Sequence, residues 1–356
     1  MELMYSDDKI KLFGGDVFEC LNHLPKDTIQ AVITSPTYWG KRNFTDDKKE
    51  FGSEKFEDYI DRNVNLFASL LRIIKDDGSI FIVIQDSYMG SGVSRSHHNH
   101  WEHNKDISYR RYGLDSNGQG NTSSVTARHD IIKNKSLCGI PYRIAIKLVD
   151  MGFIWRQHII WEKPNPMPEN VKDRVRQSAE YILHFTKKGI YKFNAEHIMI
   201  MGQSGKLRLD NQVWIASTEP RTGHTATFPN KIVKRLLLSV TDEGDTVFEP
   251  FLGSGTMLNL CIAYGRKFIG CDINKNFVKD AIAKLNAYTT LLPSQSRINK
   301  KISAESNKME YKRVSSQLAL LEERREYLIG KNHLRGTPKQ KIKKNGKANK
   351  IAIYKD

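Results

Sequence analysis

Thr246-Val247-Phe248-Glu249-Pro250-Phe251-Leu252-Gly253-Ser254-Gly255-Thr256 reads as a buried strand, a glycine turn and the start of a helix that continues through Met257 to Tyr264. Glycines at such a turn let the backbone approach a ligand closely. A helix that starts just after them points free N–H groups at a carboxylate or phosphate. A second strand, Lys267-Phe268-Ile269-Gly270-Cys271, then delivers Asp272 seventeen residues after Gly255, a spacing suited to an acid that grips ribose hydroxyls. A third glycine is missing, which argues against a dinucleotide site, and no Lys-Ser/Thr pair follows, which argues against a phosphate-binding P-loop. The stretch is a nucleoside-binding signature in an α/β chain.

Working outward, the second informative stretch is Thr34-Ser35-Pro36-Thr37-Tyr38-Trp39-Gly40, which follows the β-branched run Ile29-Gln30-Ala31-Val32-Ile33. Pro36 has no N–H and cannot continue a ladder, so the chain leaves the sheet there. A hydroxyl, a proline-fixed carbonyl and two aromatic rings are then presented at the carboxyl end of a strand, where open α/β sheets bind ligands. Taken alone, the same residues also read as an ordinary strand-to-loop turn in which Tyr38 and Trp39 cover the core edge.

Further elements follow the same alternation. Ile10 to Phe13 reads as a strand, then Gly14-Gly15-Asp16, then a helix from Val17 to Leu24, with Asp16 either an N-cap or a cofactor ligand. A helix is predicted from Phe56 to Ile74, stopped by Asp76-Asp77-Gly78-Ser79, with a buried strand at Ile80 to Ile84. Strand and helix in turn imply a parallel sheet. A helix from Pro141 to Met151 and a strand from Phe153 to Trp161 precede Lys163-Pro164-Asn165-Pro166-Met167-Pro168, whose prolines stiffen a loop. Tyr181 to Phe185 and Tyr191 to Phe193 look like a hairpin around Lys187-Lys188-Gly189; 194–221 is poorly patterned; and Thr227 to Asn230 leads into a helix from Ile232 to Val240.

Composition bounds the partner. The chain has 356 residues, 39% hydrophobic and 27% charged, with a formal net charge of +16, which suits a polyanion and points to nucleic acid. No apolar run approaches a membrane span and Met1 to Lys11 is unlike a signal peptide, so a cytoplasmic location is expected. Cys20, Cys138, Cys261 and Cys271 lack paired spacing, which suggests neither disulfides nor zinc. The segment 88–136 is rich in Gly, Ser, Asn, His and Arg, and its Arg95, Arg110, Arg111 and Arg128 interleave with Trp101, Tyr109 and Tyr112. It reads as an inserted DNA-contacting loop. His97, His98, His100 and His103 have no acidic or cysteine framework around them, so no metal is expected. Residues 293–356 carry 17 Lys+Arg against 6 Asp+Glu, or +11 of the +16, and read as a helix with an apolar stripe at Tyr311, Val314, Leu318, Leu321 and Leu328, followed by a basic arm.

With these residues in place, the sequence resembles the beta group of DNA amino-methyltransferases. Ser35-Pro36-Thr37-Tyr38 looks like the family's catalytic tetrapeptide and Phe251-Leu252-Gly253-Ser254-Gly255-Thr256 like its cofactor loop, in the permuted order typical of that group. Similarity continues through Gly15-Asp16, Gln85-Asp86-Ser87-Tyr88, Gly139-Ile140-Pro141-Tyr142-Arg143, Trp161-Glu162-Lys163-Pro164-Asn165-Pro166 and Phe228-Pro229. The resemblance implies a Rossmann-like α/β fold, mostly parallel and flanked by helices, over residues 1–292, using S-adenosylmethionine.

It also implies roles. Ser35, Pro36 and Tyr38 would be catalytic, with Ser35 Oγ and the Pro36 carbonyl accepting hydrogen bonds from an exocyclic amine and Tyr38 stacking on a flipped base. The cofactor would be held by Asp16, Thr34, Phe228, Pro229, Glu249, Pro250, Phe251, Gly253, Ser254, Gly255, Thr256 and Asp272. Double-stranded DNA would meet Thr37, Trp39, Lys41, Arg42, Arg95, Arg110, Arg111, Lys163 and Asn165, with 194–221 adding to the sequence-reading surface. Serine in the catalytic position is associated mainly with cytosine N4 and aspartate mainly with adenine N6; Thr37 departs from the family's usual second proline. An adenine-N6 enzyme, a non-catalytic DNA-binding subunit and an RNA methyltransferase stay open, as do a homodimer and a separately encoded restriction endonuclease. No Pro-Cys dipeptide occurs, which disfavours a covalent cysteine mechanism at cytosine C5.

Overall fold

The computed structural model describes residues 1–40, 49–90, 129–166, 169, 171–202, 205–218 and 229–291. Lys41, Arg42, Arg95, Arg110, Arg111, Phe228, most of the inserted loop and the whole basic extension lie outside the described residues.

The apolar runs pair into one nine-stranded sheet. Its strands in chain order are β1 (Glu2–Ser6), β2 (Ile10–Gly14), β3 (Ile29–Thr34), β4 (Ile74–Ile84), β5 (Ile154–Glu162), β6 (Ala179–Thr186), β9 (Val213–Ile215), β10 (Thr246–Glu249) and β11 (Lys267–Asp272). Two short strands, β7 (Met199–Met201) and β8 (Leu207–Leu209), form a separate antiparallel pair. The spatial order is β1-β2-β11-β10-β3-β4-β6-β5-β9. From β2 to β4 every neighbour is parallel, whereas β6 runs antiparallel to both β4 and β5.

Among the described residues, six helices cover the two faces: α1 (Val17–Asn22), α2 (Phe56–Ser69), α3 (Ile140–Asp150), α4 (Asn230–Val240), α5 (Thr256–Ala263) and α6 (Lys275–Leu291). All six residues of β3 are buried, as a strand covered on both faces requires. Successive residues serve opposite cores. Val32, Ile80, Ile82, Leu183 and Phe248 pack with α1, α2 and α3, while Ala31, Ile33, Phe81, Val83, Ile182 and Val247 pack with α4, α5 and α6.

Three sequence expectations change. The helix expected to run to Ile74 ends at Ser69, turns once through Leu70–Arg72, and gives way to β4 at Ile74; Leu70, Ile73 and Ile74 are all buried, so apolar spacing could not place the break. Tyr191 to Phe193 forms no hairpin strand. Both edges of β6 are already taken by β4 and β5, and the Lys192 N–H donates instead to the Asp77 carbonyl at 3.0 Å. The poorly patterned 194–221 segment holds β7, β8 and β9, which at three residues each are too short to show a period.

Chain direction across the sheet explains where a site forms. From β10 the chain crosses by α5 to β11 on one side, and from β3 by α2 to β4 on the other, so the crevice between β10 and β3 is a topological switch point. The carboxyl ends of β2, β11, β10, β3 and β4 and the amino end of antiparallel β6 share that edge. Among the described residues, no helix is long and apolar enough to cross a membrane.

Candidate active site

The glycine loop after β10 is fastened by its own neighbours. Gly253 and Gly255 have φ of +49° and +76°, a region that disfavours side chains, and Gly255 caps α5. The Gly253 N–H donates to Asp272 Oδ2 at 2.8 Å and the Asn274 N–H to Asp272 Oδ1 at 2.8 Å. Leu252 N–H donates to the Cys271 carbonyl at 2.8 Å, which ties the loop to the end of β11. Ser254 and Thr256 hydroxyls lie 3.3 Å apart, and Lys284 Nζ reaches the Ser254 carbonyl at 3.1 Å. Burial raises the Asp272 carboxyl to about 6, against the pull of its two backbone donors.

At the switch point Thr34 Oγ1 donates to Glu249 Oε1, to which the Phe251 N–H also donates at 3.2 Å. Burial pushes the Glu249 carboxyl up to about 8. Pro250 is buried and Phe251 stands edge-on to Phe51 at 5.1 Å. On the far side Asp16 Oδ1 caps α1 by accepting from Phe18 N–H at 2.8 Å, and Lys49 Nζ lies 3.7 Å from Asp16 Oδ2. The structure thus brings Asp16, Thr34, Glu249, Pro250, Phe251, Gly253, Ser254, Gly255, Thr256 and Asp272 to one edge; Pro229 is buried at the N-cap of α4. Two side-chain-free glycines beside a buried acid fit a nucleoside cofactor that needs close backbone approach and a hydroxyl acceptor.

The Ser35 loop is held from several directions. Tyr59 hydroxyl donates to the Thr37 carbonyl at 2.9 Å, Gly40 N–H to the Gly52 carbonyl at 2.8 Å, and Ser87 Oγ to the Trp39 carbonyl at 3.4 Å. Ser35 Oγ lies 3.4 Å from the Tyr38 hydroxyl, which donates to Glu180 Oε2 at 2.6 Å. Burial and then the Glu180 charge raise the Tyr38 hydroxyl well above the ordinary tyrosine range, so it stays protonated. Glu180 Oε1 pairs with Lys163 Nζ, and the ammonium sits 4.7 Å from the centre of the Trp161 ring. The pairing follows from register: Trp161 is opposite Glu180 across β5 and β6, and Lys163 continues the Trp161 face two residues on. Asp86, at the end of β4, accepts from the Ser87, Gly139 and Ile140 N–H groups at 2.9–3.0 Å and so anchors the start of α3.

Trp39 and Lys163, both expected at the DNA, have internal partners. Trp39 is 1% exposed, lies edge-on to Phe56 at 5.2 Å and donates from Nε1 to the Glu54 carbonyl at 2.9 Å. It is a core residue under the loop. The Lys163 side chain is 15% exposed and pairs with Glu180 within the site. Asn165 is exposed and its Oδ1 accepts from Thr218 N–H at 3.2 Å. Thr37 is half-buried against Gly52. Sequence reasoning missed Glu180. Its signal was a carboxylate at the head of the apolar run Tyr181-Ile182-Leu183, a place where an unpaired charge would be costly.

The match to known proteins covers most of this fold. A family model described as DNA methylase (N6_N4_Mtase) matches residues 29–284. The chain is 32% identical over 283 residues to the type II methyltransferase M.Cfr9I of Citrobacter freundii, covering 78% of this chain and 88% of that protein. It is 32% identical over 270 residues to the type II methyltransferase M.SmaI of Serratia marcescens, covering 75% and 87%. Among solved structures, the PvuII DNA methyltransferase (cytosine-N4-specific) superposes with a TM-score of 0.58 at 20% identity, over 79% of this chain and 88% of that one, a likeness of fold. The chain therefore belongs to the N6_N4_Mtase family of DNA methylases and is an S-adenosylmethionine-dependent DNA methyltransferase.

Proposed function

We propose that the target is the exocyclic N4 amine of a cytosine flipped out of double-stranded DNA. The observation that carries this reading is Ser35: a neutral hydroxyl, not a carboxylate, stands at the carboxyl end of β3 beside the Pro36 carbonyl. An exocyclic amine is a poor nucleophile because its lone pair is delocalised into the ring. Hydrogen bonds from its two hydrogens to Ser35 Oγ and the Pro36 carbonyl favour a pyramidal nitrogen with its lone pair freed. Among the described residues nothing donates to the Pro36 carbonyl, which suits it to accept from an amine. The bound cofactor supplies an electrophilic methyl group on sulfonium. Asp272 and Asp16 orient the nucleoside end, Thr34 and Glu249 close the crevice between the two sub-sites, and Tyr38 covers the base. Positioning of amine against methyl supplies much of the rate. A stacked base cannot reach this edge, so it must leave the helix.

The type II names of the relatives suggest a role in a cytoplasmic restriction-modification pair with a separately encoded endonuclease. The basic extension supplies nonspecific attraction to the DNA backbone. The reading is tested by incubating the protein with S-adenosylmethionine and unmethylated DNA of mixed sequence, digesting to nucleosides and identifying the product by mass spectrometry. N4-methylcytosine is expected; N6-methyladenine would overturn the inference from Ser35. Ser35→Ala is expected to abolish transfer while cofactor binding, measured by calorimetry, stays within about threefold, roughly the smallest change that a lost hydrogen bond would exceed.

A further inference from the structure

Methylation of an amine leaves one proton to be removed. As the nitrogen–carbon bond forms and the carbon–sulfonium bond breaks, the positive charge passes to the nitrogen, and a neutral product requires that an N–H proton depart. At this edge most carboxylates are committed elsewhere. Asp272 is held by the Gly253 and Asn274 N–H groups, Asp86 by three backbone N–H groups, and Glu249 by Thr34 and Phe251. Glu180 is connected differently, because hydroxyl groups alone link it to Ser35. Ser35 Oγ–H points to the Tyr38 oxygen at 3.4 Å, and Tyr38 O–H to Glu180 Oε2 at 2.6 Å. Both donors run in one direction, from Ser35 towards Glu180. The lone pairs of Ser35 Oγ are left to face the amine.

We propose that Glu180 is the terminal acceptor of the proton released by methyl transfer, reached through Ser35 and Tyr38. The amine proton passes to Ser35 Oγ, the Ser35 proton to the Tyr38 oxygen, and the Tyr38 proton to Glu180 Oε2. Both hydroxyls are regenerated, Glu180 becomes a neutral acid, and the charge that arrived with the methyl group is cancelled. The Tyr38 hydroxyl is a fitting middle member because its burial and the adjacent carboxylate keep it protonated between turnovers. Lys163 balances the Glu180 charge, with side-chain exposures of 15% and 7% for the pair, and it holds Oε1 so that Oε2 stays turned to Tyr38. Trp161 fixes the ammonium from below. Glu180 acts through Tyr38 and is a positioning and proton-accepting residue, not one that touches the base.

The inference rests on Ser35 being the group that meets the amine, and the experiment separates the two. Single-turnover methylation is measured for the full chain and for Ser35→Ala, Tyr38→Phe and Glu180→Gln, in light and heavy water, on the DNA whose methylated site the nucleoside assay has located. Cofactor affinity is followed by calorimetry, and base extrusion by the fluorescence of 2-aminopurine placed beside the target. Glu180→Gln and Tyr38→Phe are each expected to slow the chemical step about a hundredfold, the lower end of what general-base assistance contributes. Cofactor affinity and base extrusion should stay unchanged. The wild-type chain should show a normal solvent deuterium isotope effect that Tyr38→Phe loses. Tyr38→Phe leaves the Glu180–Lys163 pair intact and so tests the relay even where Glu180→Gln impairs folding. An inactive Ser35→Ala together with wild-type rate and isotope effect in Tyr38→Phe would remove the relay alone. A fully active Ser35→Ala would remove the catalytic reading of the loop, and the relay with it.

Discussion

The two halves of the active edge differ in one acid: Glu180 on the base side is held by side chains, whereas its neighbour Asp86 and the acids of the cofactor side accept from backbone N–H groups. On the cofactor side, at β2, β10 and β11, carboxylates are occupied largely by backbone N–H groups: Asp16 by Phe18, Glu249 by Phe251, and Asp272 by Gly253 and Asn274. On the base side, Glu180 is occupied by two side chains, Tyr38 and Lys163. Backbone donors are fixed once the strands are paired, so the first half is a rigid cradle whose shape is set by the fold. Side-chain donors can exchange protons and partners, so the second half is the one equipped to respond to chemistry.

Trp39, buried against Phe56, belongs to the frame of the base side. Trp39→Ala is expected to lower stability by about 3–5 kcal/mol, the usual cost of emptying a buried tryptophan site, and to leave the Glu54 carbonyl without its indole donor. Urea denaturation measures it. An unchanged midpoint together with weakened DNA binding would restore Trp39 to the interface. A smaller effect is expected at Glu249, on the boundary between the halves. Its folded-state carboxyl lies at about 8 against an ordinary 4.5, so the native chain binds the proton more tightly than the unfolded one. Stability therefore falls as pH rises through that window, and the loss is complete above about 8. Glu249→Gln has no such titration. It should match the wild type near the acid end of the window and exceed it at the alkaline end by on the order of 2 kcal/mol, after allowing for relaxation around a buried charge. Parallel pH–stability curves for the two proteins would show that Glu249 is not buried as an acid.

The same contrast explains what could be read from the sequence. Gly253, Gly255 and Asp272 lie within twenty residues on one strand-turn-helix-strand unit, so local spacing carries their geometry. The Ser35 loop was legible as a strand end for the same reason. Glu180 was not, because its meeting with Tyr38 spans 142 positions and depends on β6 entering antiparallel between β4 and β5. Had Tyr181 to Phe185 paired with Tyr191 to Phe193 as the hairpin pattern suggests, β6 would have had no edge for β5 and Trp161 would not stand opposite Glu180. The packing of Trp39 was illegible for a related reason: an aromatic in a strand-end loop looks the same in sequence whichever way its ring faces, and here it meets Phe56.

The finest separation of the halves lies at Asp272, the carboxylate that holds the cradle and is proposed to hold the cofactor as well. Each oxygen already accepts one backbone N–H, at 2.8 Å, and retains a second lone pair for a ribose hydroxyl. An amide in its place keeps one acceptor but turns two donors toward the other N–H, so Asp272→Asn must give up either Gly253 or Asn274. The loop would then loosen locally although no residue of the loop has changed. Cofactor affinity should fall about tenfold, equivalent to roughly 1.4 kcal/mol or one lost hydrogen bond, and amide exchange at Gly253 to Gly255 should quicken in the absence of cofactor. The chemical step at saturating cofactor should be close to that of the wild type, since Ser35, Tyr38 and Glu180 are untouched. A variant with normal affinity would mean that the acid serves the loop alone. One whose saturated rate also collapsed would mean that the cradle on β11 and the proton path on β6 are not the separable halves that their hydrogen bonds describe.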